Sequence, residues 1–383
     1  MSDEIQPFTI HHPDDQLEDL RNRLRHVRWP DQETVSGTDE PWSQGVPLHY
    51  ARELVAHWAE DYDWRRCEAE LNALPMFRTV LDDLAVHFIH VRSPEEGAQP
   101  LIMTHGWPGS VVEFLDVIGP LTDPVAHGGD ASDAFHLVIP SLPGFGWSEK
   151  PEHPGWGVAR IAEAWEQLML RLGYDHFGAQ GGDWGSMVTT AIALGHPQHL
   201  DGFHVNMPIA PPDPELMDDM SELELSALAG LDNYMNFENG YSTQQSTRPQ
   251  TLGYGLADSP VGQMAWIVEK FWAWGDHDGD PRSAISADRQ LDNVMTYWLT
   301  NSGASSARLY WESFKDVDLR PVSVPAGVSV FPKEIFRTSR RWAEKRYTDL
   351  RHFEVMDRGG HFAAFEQPEA FVDQVRKAFA AMS

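Results

Sequence analysis

The spacing of apolar residues changes along the chain and marks out four stretches. In the first, residues 1–83, Leu17, Leu20, Leu24 and Val27 recur on one helical face and Pro30 ends the element. Residues 50–60 (YARELVAHWAE) repeat the pattern, so a mainly helical N-terminal unit is expected. From residue 84 the pattern changes. AVHFIHV (85–91), PLIMTHGWPGS (100–110) and FHLVIPSLPGFGWS (135–148) are apolar runs broken by Gly and Pro, as expected of buried parallel strands that end in loops. Residues 158–172 (VARIAEAWEQLMLRL) predict an amphipathic helix, and GAQGGDWGS (178–186) follows a short turn. This alternation predicts an α/β sheet over 84–210.

Residues 211–312 interrupt the alternation. They are rich in Met, Trp, Tyr and acidic side chains, and predict a mainly helical insertion over the carboxyl edge of the sheet. Within it, Asp276-His277-Asp278-Gly279-Asp280 resembles a calcium loop but has Pro281 at the sixth position and Ala287 at the twelfth. Glycine and glutamate belong there, so a solvated loop is expected. Residues 313–383 return to the core, with an apolar run at 321–331 (PVSVPAGVSVF), a strand near 351–356 and a last helix from about 362. The ends of these strands are where chemistry should be sought.

Composition narrows the class of function. The chain has 383 residues, 29 basic and 58 acidic, for a net charge of −29. That field repels nucleic acid and anionic membrane surfaces, so neither is an expected partner. The single cysteine, Cys67, excludes an intramolecular disulfide and reads as structural. MSDEIQPF lacks a basic segment followed by an apolar one, and no apolar run of about 18 residues occurs, so a cytoplasmic protein is expected. The His11-His12 pair has no third ligand at metal spacing, and no metal is expected. Oligomeric state is not readable, and a homodimer stays open.

The strongest chemical signal is Gly181-Gly182-Asp183-Trp184-Gly185. A small-x-nucleophile-x-Gly run between strand and helix is a nucleophile elbow, with aspartate where serine is usual. A carboxylate suits displacement at saturated carbon, because the product is a stable alkyl ester. Epoxides and alkyl halides are the substrates this points to. Ser186 follows the elbow and falls on the first helical turn. His105-Gly106-Trp107-Pro108-Gly109-Ser110 is placed to supply an oxyanion-hole amide, so the N–H groups of Trp107 and Trp184 are the candidates, with His105 supporting the loop. His361, in Arg358-Gly-Gly-His361, comes late enough in the chain to be the base that activates water. The acid that orients it should follow a core strand. Glu334 does, but by spacing alone it stands beside Asp316, Asp318 and Asp349.

With these residues in view, the chain from about residue 5 to its end resembles the microsomal-type epoxide hydrolases, which include juvenile-hormone epoxide hydrolases. HGWPGS, GGDWGS, FPKE, RGGHFAAFE and the N-terminal RLRHVRWPD carry the resemblance. It implies an α/β-hydrolase fold: a mostly parallel sheet flanked by helices, a helical cap and a helical N-terminal extension. It implies Glu334 as the acid, and Tyr241 and Tyr310 as the phenols that protonate the epoxide oxygen. Tyr297 and Tyr254 are left as packing residues. Membrane-type relatives look anchored at their N-terminus. This chain resembles the soluble bacterial members, some of which resemble enzymes of enediyne-type antibiotic pathways.

The expected reaction is hydrolysis of an epoxide to a vicinal diol through an ester on Asp183, with no cofactor. The nearest rival is a haloalkane dehalogenase with the same nucleophile, which needs no proton donor for its leaving group. The rival of another class is a non-catalytic ligand-binding protein of the same fold. Trp266, Phe271, Trp272, Trp274 and Trp298 in the helical insertion suit a hydrophobic or aryl epoxide, or else simply pack the insertion.

Overall fold

The apolar runs broken by Gly and Pro become strands of one nine-stranded sheet in the computed structural model, which describes residues 4–315 and 317–382. The strands are β1 (Gln6–Pro7), β2 (Met76–Leu81), β3 (Leu84–Val91), β4 (Gln99–Thr104), β5 (Phe135–Pro140), β6 (Phe177–Gly181), β7 (Leu200–Val205), β8 (Ala326–Val330) and β9 (Leu350–Val355). Their order is β1-β2-β3-β5-β4-β6-β7-β8-β9. The β1 to β3 edge and its junction with β5 are antiparallel, and the rest is parallel. All five residues of β6 and of β8 are buried, because both faces of a parallel sheet are covered.

Helices supply that cover. α1 (Asp14–Arg25), α2 (Leu48–Glu60) and α3 (Trp64–Asn72) precede the sheet's main run. α4 (Leu115–Thr122), α5 (Val158–Arg171) and α6 (Trp184–Gly195) alternate with its strands. α5 buries Ile161, Ala162, Ala164, Trp165, Leu168 and Met169, a single stripe at helical spacing. α7 (Glu222–Asn233), α8 (Gly240–Thr247), α9 (Pro249–Asp258), α10 (Pro260–Trp274), α11 (Ala287–Leu299) and α12 (Gly303–Ser313) are inserted between β7 and β8. α13 (Arg340–Arg346), α14 (Ala363–Glu366) and α15 (Pro368–Met382) complete the chain. Among the described residues, no helix is long and apolar enough to cross a membrane.

Several details differ from the sequence reading. Residues 1–83 do hold three helices, but they also give β1 and β2 to the sheet. β2 was hidden because it follows directly on a helix and is only partly buried. α1 ends at Arg25, short of Pro30, and Val27 lies beyond it. β7 carries no strong apolar run of its own and is made by its buried neighbours. The last helix is split at Gln367, ahead of Pro368, which cannot donate a helical hydrogen bond.

The N-terminal helices grip α11. Tyr62 donates to the buried Asp292 at 2.8 Å, Arg66 donates to the same carboxylate at 2.6 Å, and Tyr50 donates to Gln290 at 3.1 Å. α11 in turn holds the loop after β4. Asn293 donates to the Pro108 carbonyl at 2.7 Å and accepts from Ser110 at 2.8 Å, while Tyr297 donates to the Gly109 carbonyl at 2.6 Å. A helical layer distant in sequence thus fixes the loop that faces Asp183.

Candidate active site

The carboxyl ends of β4, β6, β8 and β9 carry the site. Between β6 and α6, Asp183 has φ +50° and ψ −128°, a conformation that costs a non-glycine residue about 1–3 kcal/mol. The turn closes only because its neighbours are bare. A Cβ on Gly181 would lie 2.1 Å from the Gly185 carbonyl oxygen, and one on Gly185 would lie 1.8 Å from that of Thr104. The elbow thrusts the Asp183 carboxyl into the protein, where it is only 9% exposed.

Each Asp183 oxygen has its own neighbour. Oδ1 accepts from the Trp107 amide at 2.7 Å. Oδ2 lies 3.3 Å from His361 Nε2. On the other side of the ring, His361 Nδ1 donates to Glu334 Oε1 at 2.8 Å, and that oxygen also accepts from the Ile335 amide at 2.6 Å. Burial alone would depress the imidazole, but the carboxylates of Glu334 and Asp183 outweigh it and hold its pKa well above the usual value. The Trp184 amide is the first N–H of α6, free of intrahelical pairing by position.

The inserted helices bring two phenols onto this cluster. Tyr241 stacks on Trp107 with ring centroids 5.0 Å apart, and Tyr310 meets Trp184 edge-on at 4.8 Å. The two tyrosine rings are 5.6 Å apart. Burial pushes both phenols well above their ordinary pKa, so they stay protonated donors at neutral pH. The Tyr241 hydroxyl lies 3.3 Å from that of Tyr234, while the buried Tyr310 hydroxyl makes no well-formed hydrogen bond and has only looser contacts with Tyr241 and Trp184. The Trp274 carbonyl accepts from the His361 amide at 3.0 Å, tying the end of α10 to the base.

The sequence matches known proteins over nearly its whole length. Residues 5–114 match the family described as epoxide hydrolase N terminus, and residues 99–250 match that of the alpha/beta hydrolase fold. A protein of Stigmatella aurantiaca, provisionally named an epoxide hydrolase, is 54% identical over 98% of this chain and 84% of its own. Epoxide hydrolase 1 of Sus scrofa is 35% identical over 97% of this chain and 88% of its own.

The chain belongs to the epoxide hydrolase family.

Two solved structures agree with that placement. Juvenile hormone epoxide hydrolase from Bombyx mori superposes with a TM-score of 0.88 at 31% identity, covering 100% of this chain and 95% of its own. The Aspergillus niger epoxide hydrolase gives 0.90 at 31% identity, covering 99% and 97%. The chain is an enzyme of the α/β-hydrolase fold, and nothing in these likenesses favours a dehalogenase or a non-catalytic binding protein.

Asp183, His361, Glu334, Tyr241, Tyr310 and the Trp107 amide are therefore gathered at one place, with the Trp184 amide beside them. Two of the competing acids, Asp318 and Asp349, are not there. Asp318 pairs with Arg320 at 2.6 Å and Asp349 with Arg351, while Asp316 lies outside the described residues. Ser186 donates to the Met207 carbonyl at 2.6 Å, and buried His105 holds its own loop through Gly106 and Leu142. Tyr254, expected to pack, is instead 71% exposed on α9. The acidic loop at Asp276 is not simply solvated. Asp276 accepts from the Gly359 amide at 2.8 Å and so braces the turn before His361. Of the insertion's aromatic residues, Trp274 reaches the site, 5.0 Å from the His361 ring, whereas Trp272 stacks on Trp42.

Two charged residues escaped the sequence reading. Lys270 is buried within α10, its ammonium over the Tyr241 ring. Glu113 lies beside Asp183 and His361, and burial pushes its pKa up to about 8. Its spacing from Ser110 is that of a capping box, which points to a helix start rather than to chemistry.

Proposed function

We propose that Asp183 attacks an epoxide carbon and that His361, oriented by Glu334, then activates water to cleave the resulting ester. Oδ2 is the attacking atom, because Oδ1 is already committed to the Trp107 amide. As the new C–O bond forms, the epoxide C–O bond breaks and its oxygen takes a proton from Tyr241 or Tyr310. Asp183 is now a neutral ester, so His361 has lost one of the two charges that raised its pKa. It releases its proton to the tyrosinate, which restores the phenol, and becomes a neutral base.

Water then adds to Cγ of Asp183 as His361 Nε2 takes a proton. The charge that gathers on Oδ1 is met by the Trp107 and Trp184 amides, and one such donor is worth roughly 10²–10³ in rate. Collapse breaks the ester bond, and the leaving alkoxide takes the proton from His361 to give the diol. The carboxylic acid left on Asp183 then protonates His361 and restores the starting ion pair. The net reaction is epoxide plus water to diol.

The buried Tyr310 hydroxyl, which lacks a well-formed hydrogen bond, carries this reading. A buried donor without a partner costs about 1–3 kcal/mol, and an epoxide oxygen would supply the partner that a departing halide does not need. The indoles of Trp107, Trp184 and Trp274 around it favour an apolar, aryl-bearing epoxide. Tyr241→Phe and Tyr310→Phe should each slow ester formation from styrene oxide about 10²-fold or more, the usual worth of a general acid. Turnover of 1-bromobutane that survives these changes while exceeding epoxide turnover would move the assignment to dehalogenation.

A further inference from the structure

Beside the nucleophile is a small cavity with about 20 Å³ of room for the centre of a water molecule. One water needs about 10–15 Å³ by that measure, and two to four polar partners. The polar residues lining it include Asp183, His361, Asn206 and Glu113. None of its lining residues comes from the inserted helices. Asp183 therefore has two sides: the tyrosines reach it from the insertion, and the cavity reaches it from the core.

We infer that this cavity holds the water that hydrolyses the ester, and that Glu113 positions that water for His361. The inference rests on the two-step reading above. A water held on the core side is not displaced when an epoxide enters beneath the tyrosines. The cavity is also lined by both residues the water must meet, Asp183 and His361. One O–H bond breaks as its proton passes to His361 and the water oxygen bonds to Cγ; the other hydrogen stays on that oxygen.

The position of Glu113 is built in. Its carboxyl lies against the bare backbone of Gly109, where a Cβ would fall 1.3 Å from Oε1. Glu113 is half-buried, and its side chain borders the cavity. Burial chiefly, with the charge of Asp183 adding to it against the opposing pull of His361, keeps the carboxyl neutral at pH 7. A neutral acid accepts one O–H of the water without competing with His361 for the other proton. Glu113 is thus a positioning residue for the second step and has no part in the first.

The test separates the two steps in single turnovers with styrene oxide, followed by tryptophan fluorescence and by mass spectrometry of the Asp183 peptide. In Glu113→Leu, ester should form within about twofold of the unmodified rate and break down roughly 10- to 100-fold more slowly, so that it accumulates. Glu113→Gln keeps an acceptor and should recover most of the loss at pH 7. It should also lose the change in ester breakdown near pH 8 that the unmodified enzyme shows. Ester breakdown in Glu113→Leu at the unmodified rate would overturn the inference, as would equal losses in both steps. If the leucine variant does not fold, an unchanged pH profile in Glu113→Gln would overturn it. Absence of any ester in every variant, His361→Gln included, would instead remove the two-step reading itself.

Discussion

The ammonium of Lys270 lies 4.5 Å from the centroid of the Tyr241 ring, and Trp107 stacks on that same ring. Lys270 is only 4% exposed and has Glu269 as its ion-pair partner. A cation over the face of a phenol stabilises negative charge on it, so it favours proton donation from Tyr241. Desolvated cation–π contacts are worth about 0.5–2 kcal/mol. Lys270→Met should therefore slow ester formation about 3- to 30-fold and leave ester breakdown unchanged, and Lys270→Arg should recover most of the loss. Single-turnover fluorescence checks both.

Gly106 is the point where the loop after β4 presses on Asp183. A Cβ there would lie 2.1 Å from Asp183 Oδ1 and 2.4 Å from its Cβ. Since the next amide, that of Trp107, is the one Oδ1 accepts, the loop cannot retreat without losing that bond. Gly106→Ala should lower stability by about 1–3 kcal/mol and activity by at least the 10²-fold typical of a lost oxyanion donor. Calorimetry beside steady-state rates checks this, and a fully active, stable variant would show that the loop is not held as described.

Stability should fall as pH rises from 6.5 to 9. Burial raises the pKa of Glu366 to about 7 and that of Glu113 to about 8, so both bind more protons folded than unfolded above their unfolded values. The penalty for ionising them grows until pH passes each folded pKa. His361, with its raised pKa, adds the same sign: its contribution is complete below about 6.5 and is lost as pH rises through its folded value. The buried histidines act mainly at lower pH. His87 and His204 are pushed down to about 3, and His105 and His90 to about 4, so their penalty fades as pH passes the unfolded value of about 6.5 and offsets the decline only at the start of the range. A Tm series over this range should show the decline, and Glu366→Gln should reduce it.

What the sequence makes legible is what lies close together in it. The elbow around Asp183 and the Gly-Gly-His turn of His361 are local patterns whose geometry follows from their own glycines. Glu334 is different: 27 residues separate it from His361, and only the adjacency of β8 and β9 brings the two together. The tyrosines needed a family resemblance, because an inserted helix can present any face to a site. Lys270 and Glu113 were illegible for a stronger reason. Among 58 acidic and 29 basic residues, nothing local distinguishes a charge that will be buried on an aromatic ring or beside a cavity from one that will be solvated. β2 and β7 were passed over for a similar reason, since their strand character comes from their partners in the sheet.

The covalent role of Asp183 is the claim on which the rest depends. His361→Gln removes the base but leaves the carboxylate, so incubation with styrene oxide should stop at the ester. Mass spectrometry of the digested protein should then find one epoxide mass added to the peptide carrying Asp183, and Asp183→Asn should abolish it. An unmodified Asp183 peptide under conditions where the unmodified enzyme makes diol, or an adduct at another residue, would contradict the account.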